Sequence, residues 1–244
     1  YEYTSPEAGM ADYRMYAGKP VVIKPKSTNF GLGITILKHN YDETDFKAAL
    51  QIAFEHDNTV LIEKFIPGRE FRIFIINDEV VGILHRVPAN VTGDGVLNIG
   101  QLIDRKNEDP LRGKGYRTPL EKIRKGREEE MFLKQQGMDF NTVPKEGEVV
   151  YLRENSNIST GGDSIDFTDD IDDSYKAIAV EAAKALNVKI TGLDMMIQDI
   201  HAPATPDNYA IIEMNFNPAI HIHCYPFKGK NRHLNHKMIR ALGF

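Results

Sequence analysis

One cysteine, Cys224, is all that the sequence offers in thiol chemistry. An internal disulfide and a thiolate cluster for a soft metal are both excluded, and a reducing, cytoplasmic compartment is the expected setting. No stretch approaches the roughly 18 apolar residues that a membrane helix needs, and the first residues show no basic region leading into an apolar one. Neither a membrane partner nor a secretion signal is expected. Positive charge is not in excess either: the formal net charge is -5, which gives no electrostatic case for nucleic acid. An anionic ligand would have to be met by a local site or by metal ions. Nothing repeats at a fixed period and no segment is of low complexity. The eight histidines fall into no familiar zinc spacing. "HIHC" at His221 to Cys224 is set aside as a soft-metal cluster because it lies just past a strand, and Cys224 as a nucleophile because no base or helix start can be placed beside it.

What is present is enough chain, 244 residues, to bury a real core as one large domain or two lobes. It opens "YEYTSPEAGM", without an initiator methionine, and Ser5 and Pro6 read as the cap and first turn of a helix. Residues 1–20 are expected to be a remnant or linker from an upstream region. Residues 21–78 read as a small α+β lobe: strands at Val21 to Lys24 and Gly33 to Leu37, then a helix over "DETDFKAALQIAFEHDN". Phe46, Leu50 and Phe54 recur there at helical spacing, with Asp42, Thr44 or Asp45 as cap, and strands "TVLIEKF" and "EFRIFIIND" follow. Residues 79–244 form a larger lobe. Val80 to Arg86 is a strand and "VLNIGQLIDRKN" a helix capped by Asn98. Arg105 to Arg117 reads as surface loop and Leu120 to Gly137 as a charged, solvated helix. "EGEVVYLREN" is a strand, "DDSYKAIAVEAAKALN" a helix, and two last strands, "ITGLDMMIQDI" and "YAIIEMNFNP", are joined by "HAPATPDN".

Those last strands carry the most geometry. Glu213 and Asn215 are two apart and leave the same face, while Met214 goes to the other. A symmetric antiparallel hairpin centred between Pro203 and Ala204 places Asp194 opposite Glu213. Opposed carboxylates are unfavourable unless a cation sits between them or one is protonated. Three hard oxygen ligands without imidazole or thiolate suit magnesium. From spacing alone, an exposed acidic strand face in a slipped register stands equally.

The stretch "KPKSTNFGLG" is not a P-loop, since its lysine precedes the glycines and no "GK[ST]" follows. Nor does it lead into a helix as a dinucleotide fingerprint does. It reads as a strand, loop and strand with Lys24 at the end of the first strand, and two interpretations remain. Backbone N–H groups around Ser27, Asn29, Gly31 and Gly33 close over phosphates, or the loop is a plain hairpin turn. Combined with an all-oxygen metal site, nucleotide plus magnesium is the economical joint reading.

The ordered motifs "VVIKPKSTNFGLG", "LIEKFIPGREFRIF", "GLDMMI" and "EMNFNP" resemble the ATP-grasp superfamily. Within it they are most similar to the glutathione-synthetase module of bacterial bifunctional glutamate–cysteine ligase/glutathione synthetases. The resemblance covers nearly everything from Val21 to Pro218. It implies an α+β ATP-grasp fold with nucleotide between two lobes, and an ATP-dependent carboxylate–amine ligase that joins γ-glutamylcysteine and glycine through an acyl phosphate. ATP and two divalent ions, Mg2+ or Mn2+, are the implied cofactors. By the same resemblance Lys24 contacts phosphates, the backbone of Glu63, Lys64, Phe65 and Ile66 reads adenine, and Glu70 receives the ribose hydroxyls. Asp194, Glu213 and Asn215 match the metal ligands, and Arg153 stabilises the acyl phosphate, with Asn155 on the same strand face. Ser159, Thr160, Gly161 and Gly162 hold the acceptor through hydroxyls and free backbone N–H groups; without the resemblance they read as a surface loop. Arg72 and Arg86 are either carboxylate or phosphate contacts or surface arginines packed on the sheet.

One departure stands out. ATP-grasp enzymes carry an upstream lobe with a further phosphate-contacting lysine, and Lys24 lies only about twenty residues from the start. The expectation is that this lobe is absent here, with a glutamate–cysteine ligase domain upstream in the full-length protein and room for a homodimer. Three functional readings therefore stand. They are a glutathione-forming ligase, a ligase for another dipeptide or amino-acid polymer, and a nucleotide-binding module that is catalytically silent. An Asp194 to Asn substitution is expected to cost turnover far more than folding.

Overall fold

The computed structural model describes residues 1–28, 32–38 and 40–243, and these fall into two compact units, Tyr1–Ile66 and Pro67–Phe244. The first contains β1 (Glu2–Tyr3), α1 (Pro6–Ala11), α2 (Tyr13–Tyr16), β2 (Val21–Pro25), β3 (Thr35–Leu37), α3 (Glu43–Phe54) and β4 (Val60–Lys64). Its strands order as β1-β4-β2-β3. Val21, Ile23, Val60 and Ile62 alternate inward, as a period of two requires, onto Phe46, Ala49, Leu50 and Ala53 of α3. Asp42 is the cap of α3. Its carboxylate accepts from the N–H of Thr44 and Asp45, and Asp45 accepts in turn from the Asp42 N–H.

Residues 1–20, expected as a linker, are packed into this unit. β1 pairs antiparallel with β4, Ser5 caps α1 with Pro6 in its first turn, and Tyr3 and Tyr16 are buried with their hydroxyls 2.8 Å apart. The apolar bodies of these tyrosines hold the segment against the lobe.

The second unit contains β5 (Arg69–Ile76), β6 (Glu79–Val87), β7 (Asn90–Thr92), α4 (Ile99–Lys106), β8 (Arg112–Gly113), β9 (Leu120–Glu121) and α5 (Arg127–Gln135). β10 (Val149–Tyr151), β11 (Asp163–Asp166), α6 (Asp173–Ala185), β12 (Ile190–Ile197), β13 (Tyr209–Asn215), α7 (His221–Cys224) and α8 (Leu234–Ala241) complete it. The main sheet has the order β11-β6-β5-β12-β13, with every neighbouring pair antiparallel. One face is apolar: Phe71, Ile73, Ile75, Ile83, Leu193, Met195 and Ile197 pack on Tyr175, Ala179 and Ala183 of α6. Alternate residues of β5 and β12 therefore point to the opposite face. At one end of it Phe74 and Ile76 are covered by Cys224 and Leu234. At the other end stand Glu70, Arg72 and Asp194. β5 was expected in the first lobe, but it is central to this sheet, with β6 on one side and β12 on the other. The division accordingly falls after Ile66 rather than after Asp78.

A smaller layer, with Val91, Val150, Ile99, Leu102, Ile103 and Leu133 in its core, differs from expectation in three places. The helix expected over Leu120 to Gly137 begins only at Arg127, because Leu120 and Glu121 pair with β8 and the extended Gly126 stands at the cap position. The Arg105 to Arg117 run is not all surface: the side chain of Arg112 is fully buried. The strand expected over "EGEVVYLREN" ends at Tyr151, so Arg153 and Asn155 lie beyond it and share no strand face.

Candidate active site

The hairpin that the sequence suggested is present, with Asp194 opposite Glu213, Leu193 opposite Met214 and Gly192 opposite Asn215. It is not symmetric throughout, since the ladder shifts by one residue between Asp194 and Met195. That bulge leaves the three oxygen-bearing residues together and re-registers the remainder of β13. Asn215 Nδ2 donates to Glu213 Oε1 at 3.0 Å.

Asp194 is buried, and two guanidinium groups hold it. Arg72, its direct neighbour on β5, donates from Nε to Oδ1 and from Nη2 to Oδ2, the latter at 2.7 Å. Arg86 donates to Oδ2 at 2.9 Å. Burial alone would raise the pKa of this carboxyl, but the Arg72 hydrogen bonds and the Arg86 charge more than offset it, and Asp194 titrates below the ordinary carboxylate range. Gly192 makes the arrangement possible. A Cβ there would stand 2.9 Å from Arg72 Cδ and 2.8 Å from Pro218 Cβ, so any side chain would push Arg72 away from its partner.

Arg86 also pairs with Glu70, and Glu70 Oε2 accepts from Ser156 Oγ at 2.6 Å. Glu70, Arg72, Arg86 and Asp194 thus form one continuous charged row on the sheet face, tied by Ser156 to the loop that follows β10. Behind Glu70, His85 Nδ1 lies 2.9 Å from its carbonyl oxygen; a carbonyl can only accept, so the proton is on Nδ1. Burial, with the Arg69 charge adding to it, lowers the His85 pKa to about 4.

The other residues expected at the site are placed as follows. Arg153 is held by α5, with Nε donating to Glu129 Oε1 at 2.7 Å and Nη2 pairing with Glu128 and Glu129. Asn155 Oδ1 accepts from Thr160 Oγ1. Ser159 and Thr160 lie in a 3-10 turn, Ile158–Thr160, closed by Gly161 at φ 95°. The expectation of free N–H groups at Gly161 and Gly162 does not hold: the first donates to Ile158 O and the second to Asn157 O. Gly161 is glycine for its left-handed backbone and because a Cβ would meet Ile123 Cα at 2.8 Å.

In the first unit Lys24 forms an ion pair with Glu63 at 2.6 Å. Ser27 N–H donates to Asp57 Oδ2 at 2.7 Å, Lys38 Nζ stands 5.5 Å from the Phe65 ring centroid, and Lys64 is exposed while Ile66 is half-buried. Gly33 adopts φ 76°. Asn29 and Gly31 lie outside the described residues.

Among the described residues no group of three or more His, Cys, Asp or Glu side chains gathers as a metal cage. The donor set at the end of the hairpin is two carboxylates and one amide oxygen. Its chemistry fits a hard ion such as magnesium, which keeps several waters and needs few protein ligands. Glu213 is exposed and open to such an ion, whereas Asp194 would offer a lone pair not already taken by Arg72 and Arg86. No helix among the described residues is long and apolar enough to cross a membrane.

What the sequence missed is the partnership of Arg72 and Arg86 with Asp194, across 122 and 108 positions, and the contact of Ser156 with Glu70. Nothing in the local pattern marks such pairs; only the strand order brings them together.

A two-unit α+β chain with a charged row of this kind has clear relatives. The family "D-ala D-ala ligase C-terminus" matches residues 4–98. The chain is 62% identical over 242 residues to the glutathione biosynthesis bifunctional protein GshAB of Desulfotalea psychrophila, covering 99% of this chain and 31% of that protein. It is 55% identical over 241 residues to the protein of the same name from Clostridium perfringens, again with 99% and 31% covered. The crystal structure of a bifunctional glutathione synthetase from Pasteurella multocida superposes with a TM-score of 0.73 at 47% identity, over 99% of this chain and 33% of that one. Fold and motifs define the class: the chain belongs to the ATP-grasp superfamily. Within that class it closely matches the bacterial bifunctional glutathione biosynthesis proteins, spanning about a third of the length of the curated relatives it matches.

Proposed function

We propose that this chain is the ATP-grasp part of an ATP-dependent amide ligase that joins γ-glutamylcysteine to glycine. The observation that carries the reading is the row Glu70, Arg86, Asp194 and Arg72 on one sheet face, continued by Glu213 and Asn215. The identity to bifunctional glutathione biosynthesis proteins supports it, and the two substrates are those that the glutathione-synthetase resemblance implies.

In the first step a carboxylate oxygen of the acid attacks the terminal phosphorus of ATP, and ADP leaves. In the second the amine attacks the acyl carbon, phosphate leaves, and the ammonium proton passes to solvent. Neither step needs a side-chain nucleophile, so the chain supplies position and charge. Asp194, Glu213 and Asn215 would hold magnesium, which neutralises phosphate charge when bound. Glu70 takes the ribose hydroxyls, and Ser156 and Arg86 fix its carboxylate for that task. Arg86 is also the cation beside Asp194, and it shares with Arg153 the role of meeting the transferred phosphoryl group. Arg153 must first leave Glu128 and Glu129. Lys24, Ser27 and Gly33, with Asn29 and Gly31, cover the phosphates, and Glu63 to Ile66 read adenine. Asn155, Ser159 and Thr160 hold the acid, the last two through their hydroxyls, and Gly161 and Gly162 shape their turn.

The test is isotope transfer. With 18O in the acid's carboxylate, the full-length protein should place one labelled oxygen in the phosphate released for each amide formed. Amide formed with unlabelled phosphate would overturn the acyl-phosphate route, and ATP binding without amide would leave a nucleotide-binding module.

A further inference from the structure

The turn Ile158–Gly162 is held by a side chain distant from it in sequence. Arg112 Nη1 donates to the Gly161 carbonyl at 3.0 Å and to the Glu121 carbonyl at 2.9 Å, while its Nη2 pairs with Asp163. Asp163 Oδ2 accepts from Lys106 Nζ at 2.6 Å and from Asn90 Nδ2 at 3.0 Å. Lys106 also donates to Asn90 O and Oδ1 at 2.9 and 3.0 Å. The Phe227 ring lies beside both cations, 5.2 Å from Lys106 Nζ and 5.4 Å from the Arg112 guanidinium carbon. Arg112, Asp163 and Asn90 are all buried.

Stability alone is a poor reason for such a cluster, because burying ions costs about as much as their attraction returns and apolar residues of similar volume often do as well. What a guanidinium supplies, and an apolar residue or a lysine does not, is a planar fork that bonds a carboxylate and carbonyls at the same time. Here the carbonyls belong to β9 and to Gly161. The turn is thereby fixed at its far end by Arg112. Its near end is fixed by the hydrogen bond from Ser156 to Glu70. Ser159 and Thr160 sit between the two anchors, and Asn155, just before the first, is tied to them by the hydrogen bond it accepts from Thr160 Oγ1.

We propose that Arg112, held by Asp163 and Lys106, is a positioning residue that sets the Asn155 to Gly162 segment for the acid substrate and leaves the nucleotide site alone. This rests on the ligase reading above. The variant Arg112→Lys keeps the charge and loses the fork. In the full-length protein it should raise KM for γ-glutamylcysteine about tenfold, since small misplacements of a positioning group cost that much or more, while KM for ATP stays unchanged. Hydrogen exchange should quicken at residues 157–162 and stay slow in β5, β6 and β12. Asp163→Asn should move both readouts in the same direction. Equal changes in both KM values, an unchanged KM for the acid, or exchange that is unaltered at 157–162 or faster throughout the sheet would each overturn the proposal. Should the wild-type protein form no amide, the ligase reading fails by itself, and hydrogen exchange still decides whether Arg112 holds the turn.

Discussion

Asp194 and Glu213 face each other across the β12–β13 ladder, one buried between two arginines and the other open to solvent. Two carboxylates at equivalent places on paired strands thus have different surroundings. Asp194 is a fixed anion paired with Arg72 and Arg86, and Glu213 is the exposed member of the proposed magnesium set.

Replacing Asp194 by asparagine should therefore injure folding as well as turnover, against the expectation from sequence. The substitution leaves the buried Arg72 guanidinium without its counter-charge and Arg86 with Glu70 alone, and breaking a buried pair costs about 3–5 kcal/mol. Urea unfolding of the variant should show a loss of that order, and a midpoint within experimental error of wild type would contradict the buried pairing. Glu213→Gln, at an exposed position, should leave the midpoint unchanged.

Gly192→Ala tests whether Arg72 needs the space beside β12. The added methyl would stand 2.9 Å from Arg72 Cδ, and overpacking of this kind costs about 1–3 kcal/mol. Turnover should fall together with the melting temperature. Wild-type kinetics in this variant would show that Arg72 can serve from another position.

Arg86 and Arg153 can be ranked by kinetics. Arg86 touches both Glu70 and Asp194, whereas Arg153 is held by Glu128 and Glu129. Arg86→Gln should lower kcat/KM by about a hundredfold, the loss expected when a preorganised donor is removed. Arg153→Lys should cost less. The reverse order would return the central role to Arg153.

Acid should weaken the fold before its carboxylates titrate. His223 is fully buried, and among the described residues neither ring nitrogen has a hydrogen-bond partner. Burial, with the Arg72 charge adding to it, lowers its pKa to about 3, and burial lowers that of His85 to about 4. The unfolded chain binds protons at these imidazoles from about pH 6.5 downward while the folded chain does not. Stability contributed by the neutral rings is therefore full above that pH and is lost as pH falls toward 4. Unfolding free energies measured at pH 7, 6 and 5 should decline in the wild type and decline less in His223→Leu. Parallel slopes would remove His223 from the explanation.

Much of the fold was legible because its signals are local. Asp42 and Asn98 cap helices where their spacing to Asp45 and Gln101 says they should, and the opposition of Asp194 and Glu213 follows from counting residues back from the hairpin centre. The misreadings have physical causes. "LEKIRKGREEEMFLKQQG" has helical composition throughout, yet the pairing of Leu120 and Glu121 with β8 overrides it. Arg112 looks like any arginine of a basic, glycine-bearing run, because its burial depends on Asp163, 51 positions on. Gly161 and Gly162 look like free donors in the sequence, but the turn geometry uses their N–H groups internally. Sequence spacing located the oxygen donors, and only the strand order β6-β5-β12 showed that two arginines are partners of one of them.

The account depends most on the proposal that Asp194, Glu213 and Asn215 hold a divalent cation, with Asp194 paired to Arg72 and Arg86 from the other side. Titration of the full-length protein with Mn2+, followed by water-proton relaxation in the presence of a non-hydrolysable ATP analogue, tests this without reference to turnover. Tight, nucleotide-dependent binding in the wild type that is lost in Glu213→Gln and weakened in Asn215→Ala is the predicted result. Equal Mn2+ affinity in all three proteins would contradict it.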